Sequence, residues 1–221
     1  IQDSVFAEKG TYKEVFSTRV RPVLWLGVLL AVFSQVTGIN SIMYYAPVIF
    51  ENTGIGTESA LMQTVIIGSV NLVFTWVAIF WVDKIGRRPL LIIGSIGMTI
   101  SLSALSLAFY THRFEGFFIL VFILLYIACF AASLGPVTWV AVSEIFPNKL
   151  RSKAMSVAVV ALWLANFIVI LVFPVILNRM GGGMAFLIFD LMCILLILFV
   201  VLKFPETKGK SLEELEKLLL K

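Results

Sequence analysis

Amide and aromatic side chains stand inside long apolar runs of this chain, and their chemistry needs an account. Gln35, Asn40 and Tyr44 lie in one run, Asn71 in the next, Trp139 in another, and Trp163 with Asn166 in the one after. Polar side chains are costly in lipid, so within a membrane they turn to a bundle interior or a water-filled cavity. An amide both donates and accepts hydrogen bonds, and an aromatic ring offers a flat apolar face. Together they suit a ring-shaped solute rich in hydroxyls, a sugar. The plainer alternative is that each amide ties one helix to another, a bond worth about 0.6–2 kcal/mol. Clustering favours the first reading. Asn40 and Tyr44 share a helical face, as do Trp163 and Asn166. Gly38 breaks the first run beside them, with Pro47 further on, and Gly135 and Pro136 sit just before Trp139. Residues of this kind weaken a helix and free backbone groups for other partners.

A second group is charged. Asp83, Arg87 and Arg88 fall in the tight link DKIGRRPLL, and Glu144 and Arg151 flank a later link. Glu144 is placed to meet Arg87 or Arg88 across the rim of a bundle, and such pairs can lock a gate that opens when they break. They can equally be topology-setting charges and nothing more. No catalytic set accompanies either group. His112 is the single histidine, both cysteines (Cys129 and Cys193) lie in apolar runs, and no Ser-His-Asp, Cys-His or metal-ligand arrangement is present. The expectation is a protein that is not an enzyme and needs no metal or cofactor.

The elements that must hold these residues are membrane helices. Of the 221 residues 60% are hydrophobic and only 14% charged, and mean hydropathy is +1.03. A soluble domain of this size lacks the interior to hide so much apolar surface. About 20 apolar residues cross the hydrocarbon core as a helix. Runs at 22–50, 60–82, 89–110, 116–142, 153–177 and 184–203 meet that length. None alternates as a membrane β-strand would. The fold class is therefore an all-α membrane protein with six transmembrane helices over 22–204. A segment 1–21 with a short amphipathic helix (residues 4–18) precedes them, and a tail 205–221 with a helix over 211–220 follows. Ser211 and Glu214 form a capping-box pattern at the start of that tail helix.

Charge sets the orientation. Fifteen of the 17 Lys and Arg residues fall before the first span, in the second-to-third and fourth-to-fifth links, or in the tail; only Arg113 and Arg179 lie on the other side. The positive-inside rule puts both termini in the cytoplasm, and an even number of spans agrees. Localisation is read as the cell membrane, multi-pass. The net charge of +4 is thereby explained by topology, with no basic–aromatic patch for nucleic acid. The first 21 residues hold no apolar core of a signal peptide. The chain begins at Ile1, which is read as a cut or processed end.

Several strings together resemble the sugar porter family of the major facilitator superfamily: QVTGINSIMYYAP (35–47), VNLVFTWVAIFWVDKIGRRPLL (70–91), GPVTWVAVSEIFPNKLRSKA (135–154), WLANF (163–167) and PETKGKSLEEL (205–215). The resemblance covers nearly the whole chain but only the carboxy-terminal six-helix half of that family. It implies a monosaccharide (pentose or hexose) carried by alternating access, with proton coupling left open. By position it implies a sugar site of Gln35, Asn40, Tyr44, Asn71, Trp139, Trp163 and Asn166, helix breaks at Gly38, Gly135 and Pro136, and a cytoplasmic salt-bridge network of Asp83, Arg87, Arg88, Glu144 and Arg151. The sequence departs from the family twice: Ser34 stands where a glutamine is common, and Leu162 where an amide is. Asp190 is a carboxylate about a third of the way into the last span, read as a hydrogen-bonded carboxyl, with a coupling role weighed beside it. Beyond the bilayer, the resemblance implies an amino-terminal six-helix bundle as partner. A homodimeric half-size carrier and a non-transporting sugar sensor or scaffold stand as alternatives.

Overall fold

The computed structural model describes residues 10–51, 57–111, 116–210 and 214–215. The segments 1–9, 211–213 and 216–221, with His112 and Arg113, lie outside them, and so do residues 4–9 of the first expected amphipathic helix and all but 214–215 of the tail helix; within 10–18 the helix is only Tyr12–Val15.

The regular structure of the described residues is all helix, in the order α1 (Tyr12–Val15), α2 (Arg21–Val36), α3 (Ile39–Glu51), α4 (Thr57–Ile85), α5 (Arg87–Thr111), α6 (Gly116–Ala131), α7 (Leu134–Ile145) and α8 (Arg151–Leu202). The spans long and apolar enough to cross a membrane are Arg21–Pro47, Val65–Ile85, Arg87–Thr111, Phe117–Ile145 and the 52-residue Arg151–Leu202. At 1.5 Å per residue the last is about 78 Å long, more than twice the ~30 Å hydrocarbon core. It is divided by Gly181, whose φ of 82° and ψ of 168° are not helical. The two arms, 151–180 and 182–202, correspond to the fifth and sixth runs read from the sequence.

Two spans are broken helices. The first bends at Gly38, where φ is 95°, a left-handed value that a side chain strongly disfavours. The break frees carbonyl groups, and one is answered from across the bundle: the Tyr126 hydroxyl donates to the Thr37 carbonyl at 2.9 Å. The Phe189 ring lies where a Cβ on Gly38 would go, 2.4 Å away. The other break lies between α6 and α7, at Ala132 and Ser133. Gly135 and Pro136 are therefore not the break itself but the first turn of α7. Proline is tolerated there because the N–H it lacks would have no intrahelical acceptor.

Close packing of small residues holds the bundle. Gly94 and Gly97 of α5 lie against Ser133 and Cys129; a Cβ on either glycine would come within 1.8 Å of Ser133 Oγ or 2.4 Å of Cys129 Sγ. Within a membrane this close approach replaces the hydrophobic drive that water would supply. The α5 helix runs antiparallel along the second arm of α8. Ser106 donates to the Gly183 carbonyl at 2.8 Å and Ser103 to Asp190 at 2.7 Å. The Phe33–Phe199 and Phe173–Phe189 ring pairs join α2 and the two arms of α8.

At the charged end, Thr11 and Glu14 form a capping box on α1. Glu14 also pairs with Lys149 at 3.4 Å, and Lys153 donates to the Gly10 carbonyl. The short α1 is thus tied to the loop that leads into α8.

Candidate functional site

The break at Gly38 turns α3 so that Asn40 points into the bundle. Its amide nitrogen donates to Gln35 Oε1 at 2.7 Å and to Asn166 Oδ1 at 3.0 Å. Both hydrogens of that nitrogen are then committed, and the carbonyl oxygen of Asn40 is left as an acceptor. Gln35 donates one hydrogen to Ser34 Oγ at 3.2 Å and keeps another. Asn71, one helix away, touches Met43 Sδ at 3.7 Å and accepts from Thr75 at 3.3 Å. Its bond to sulfur is weak, so Asn71 also retains hydrogen-bonding capacity.

These residues line a half-open hollow of about 190 Å³ together with Ser34, Phe130, Gly135 and Trp139. Trp139 is 40% exposed. The result is a wall of amides with spare donors and acceptors facing an indole, the chemistry a polyhydroxylated ring requires. Complete ligand pockets run at about 300–1,000 Å³. The hollow, half-open and about 190 Å³, falls below that range.

Of the residues predicted for a sugar site, Gln35, Asn40, Asn71 and Trp139 are brought together here. Asn166 is 6% exposed and acts behind Asn40, fixing it from α8. Tyr44 and Trp163 are not among the residues that line the hollow; they are 62% and 60% exposed. The structure brings Asn40 and Asn166 together inside the bundle, while Tyr44 and Trp163, one turn away on the same helices, lie on exposed surface.

The charged group forms a second cluster at the links. Arg87 reaches Asp83 at 2.9 Å and Glu144 at 2.6 Å. Thr207 donates to the other Glu144 oxygen at 2.6 Å, so both oxygens of that carboxylate are engaged. Arg88 does not meet Glu144. Its guanidinium donates to the carbonyls of Val200 and Val201 at the end of α8, where free carbonyls and the helix dipole favour a cation. Arg151 makes no ion pair among the described residues, and its Nε is buried without a partner. Arg151 lines a hollow of about 300 Å³ shared with Arg87, Glu144 and Thr207.

Glu206 is the residue that sequence reasoning passed over. Its carboxylate accepts the backbone N–H groups of Arg87 and Arg88, both at 3.1 Å. This caps α5, whose first turn carries cations at the end where the dipole disfavours them. Gly86, with φ of 103°, makes room: a Cβ there would stand 2.9 Å from the Glu206 carboxylate. An acid standing alone in a rim of Lys and Arg was the available signal. Met43 and Phe130 gave none, since they read as ordinary membrane-helix residues; Ser34 stood out only as a departure from the family's glutamine.

Residues 1–219 match the family described as "Sugar (and other) transporter". The chain belongs to that family. Among curated members of the sugar transporter family, the D-xylose-proton symporter of Escherichia coli K12 is 48% identical over 202 residues, covering 89% of this chain and 41% of that protein. The arabinose-proton symporter of Bacillus subtilis 168 is 41% identical over 222 residues, covering 100% and 48%. In three dimensions the chain is similar to the major facilitator superfamily proton:xylose symporter XylE bound to 6-bromo-6-deoxy-D-glucose. The TM-score is 0.83 at 44% identity, over 94% of this chain and 46% of that one. This sugar transporter family chain thus spans about half the length of the relatives it matches.

Proposed function

We propose that this chain is the carboxy-terminal half of a monosaccharide transporter that works by alternating access as a proton symporter. It sits in the cell membrane with both termini in the cytoplasm, and its partner is an amino-terminal six-helix bundle. It performs no enzymatic reaction. One observation carries the reading: a half-open hollow presents amides with unused hydrogen-bonding capacity and an indole, within a family member of half length. A sugar's hydroxyls bond to Gln35, Asn40 and Asn71, and its ring packs on Trp139. The second bundle supplies the opposite wall. Alternating access needs two bundles that rock about a shared midplane site, and the relatives' doubled length supports such a partner. The breaks at Gly38 and at Ala132–Ser133 are the places where these helices can bend. The Arg87–Glu144–Thr207 cluster is the inner latch, holding two links and the tail together while the cytoplasmic side is closed.

Equilibrium binding of labelled xylose and glucose to the purified chain, alone and joined to an amino-terminal bundle, tests the site. Asn71→Ala leaves the Gln35–Asn40–Asn166 network untouched and removes one free amide. It should weaken sugar binding by about 1–3 kcal/mol, fivefold or more in affinity. Affinity equal to the parent's in Asn71→Ala and Trp139→Ala together would remove the hollow as the sugar site.

A further inference from the structure

We propose that a groove between α2 and the first arm of α8 binds an anionic glycerophospholipid, with the headgroup on Arg19 and Arg21 and one acyl chain along Leu24, Trp25 and Val28. The inference rests on the membrane reading alone and is independent of the sugar site. The groove is about 350 Å³, half-open, and is lined by Phe16, Arg21, Leu24, Trp25, Val28 and Val157. On α2, residues 21, 24, 25 and 28 share one face. From Arg21 to Val28 the helix rises about 10 Å, so the groove leads from a charged rim into the apolar layer. Trp25 is 53% exposed and Phe16 58%, and a tryptophan beside arginines one turn into a span marks the membrane–water boundary.

Charge selects the occupant. The α2 helix starts with Arg21 and Pro22, has no side-chain cap and has no acid in its first turn. Its first N–H, on Arg21, is taken by the Ser17 carbonyl and Pro22 has none, so what this end offers an anion is the arginine side-chain charge added to the helix dipole. The α5 helix also carries arginines in its first turn, and there Glu206 answers them from within the chain by accepting the Arg87 and Arg88 N–H groups. Among the described residues no carboxylate plays that part at α2. Glu14, the nearby acid, is held by Lys149 and by Thr11. Lys153 is held by the Gly10 carbonyl and the Tyr12 ring. Among the described residues Arg19 and Arg21 are exposed and make no ion pair. The apolar lining cannot choose between lipids, because neighbouring acyl chains are as apolar as leucine. Discrimination lies in the headgroup, at about fivefold per arginine.

The test uses the full chain in nanodiscs of phosphatidylcholine and phosphatidylglycerol, with one or the other lipid brominated on its acyl chain. Quenching of Trp25, read as the difference between the parent and Trp25→Phe, reports which lipid occupies the groove. At equal mole fraction phosphatidylglycerol should be enriched about fivefold or more over phosphatidylcholine. Arg19→Gln with Arg21→Gln should bring the ratio close to one, while Lys203→Gln, at the end of α8, should leave it unchanged. Deleting residues 1–9 should leave it unchanged as well. Equal quenching by both lipids in the parent overturns the proposal. So does a loss in Lys203→Gln as large as in the double variant, which would show general surface attraction. Enrichment that emerges only after residues 1–9 are removed also overturns it, by showing that segment to be the occupant.

Discussion

Asp190 shows what a single buried carboxyl demands of its surroundings. It is 5% exposed, accepts from Ser103 at 2.7 Å, and its other oxygen is buried without a partner. The sequence flagged it as a carboxyl needing a partner, and Ser103 is that partner, from a serine-bearing stretch of α5 that gave no hint of pairing. Asp190 does not line the amide hollow. Removing the hydroxyl in Ser103→Ala leaves a buried polar group unmatched and should cost about 1–3 kcal/mol. Asp190→Asn keeps the shape and can bear no charge, so it should unfold at the same temperature as the parent or higher. Thermal unfolding in detergent distinguishes the two. A stabilised Ser103→Ala would show that the hydroxyl does not support Asp190, and an Asp190→Asn that loses stability would show that the carboxyl group itself is needed. Asn40 makes the complementary point. Its type and place in an apolar run announced a polar role, but its partner Asn166 lies far away in the chain, and only packing reveals that one nitrogen serves both Gln35 and Asn166.

At the scale of elements, glycines decide where the helices turn. Long apolar runs made the spans readable, because length and hydropathy are local properties. Break positions were less so. Gly38 was legible, since no other residue type so readily adopts its backbone. Gly135 and Pro136 pointed to the right neighbourhood, but the turn falls at Ala132–Ser133, where packing of Ser133 against Gly94 settles the place. Gly38 and Gly86 both have left-handed backbone, yet their surroundings differ. A methyl at Gly38 meets the Phe189 ring at 2.4 Å, and that ring is buried and stacked on Phe173. A methyl at Gly86 meets the end of the Glu206 side chain, which can swing. Gly38→Ala should therefore cost about 2–5 kcal/mol, backbone strain plus overpacking. Gly86→Ala should cost about 1–2 kcal/mol, strain alone. Denaturation midpoints of the two variants check the order. A Gly86→Ala that is the less stable would mean that the Glu206 cap cannot yield.

Among the described residues, the whole molecule is a bundle whose polar wall opens on one side. In sequence, the amides and indoles were visible as misplaced polarity, and the motifs tied them to one family's site. What could not be read was which of them line the hollow: Gln35, Asn40, Asn71 and Trp139 do, while Tyr44 and Trp163 stand on exposed surface. The hollow of about 190 Å³ supplies hydrogen bonds from one side only. A sugar held there alone keeps much of its surface in water and is not enclosed from either side of the membrane. Alternating access requires enclosure between two bundles, so the chain by itself should bind sugar weakly and move none. In liposomes it should give no counterflow of labelled xylose or glucose, with or without a pH gradient. Joined to an amino-terminal six-helix bundle of the same family, it should give saturable flux that rises with an inward proton gradient. Flux from the chain alone, in proportion to a crosslinkable dimer, would instead make a second copy the missing wall. In that case the same amides would face each other across a twofold axis, and Asn71→Ala would lower flux through both halves at once.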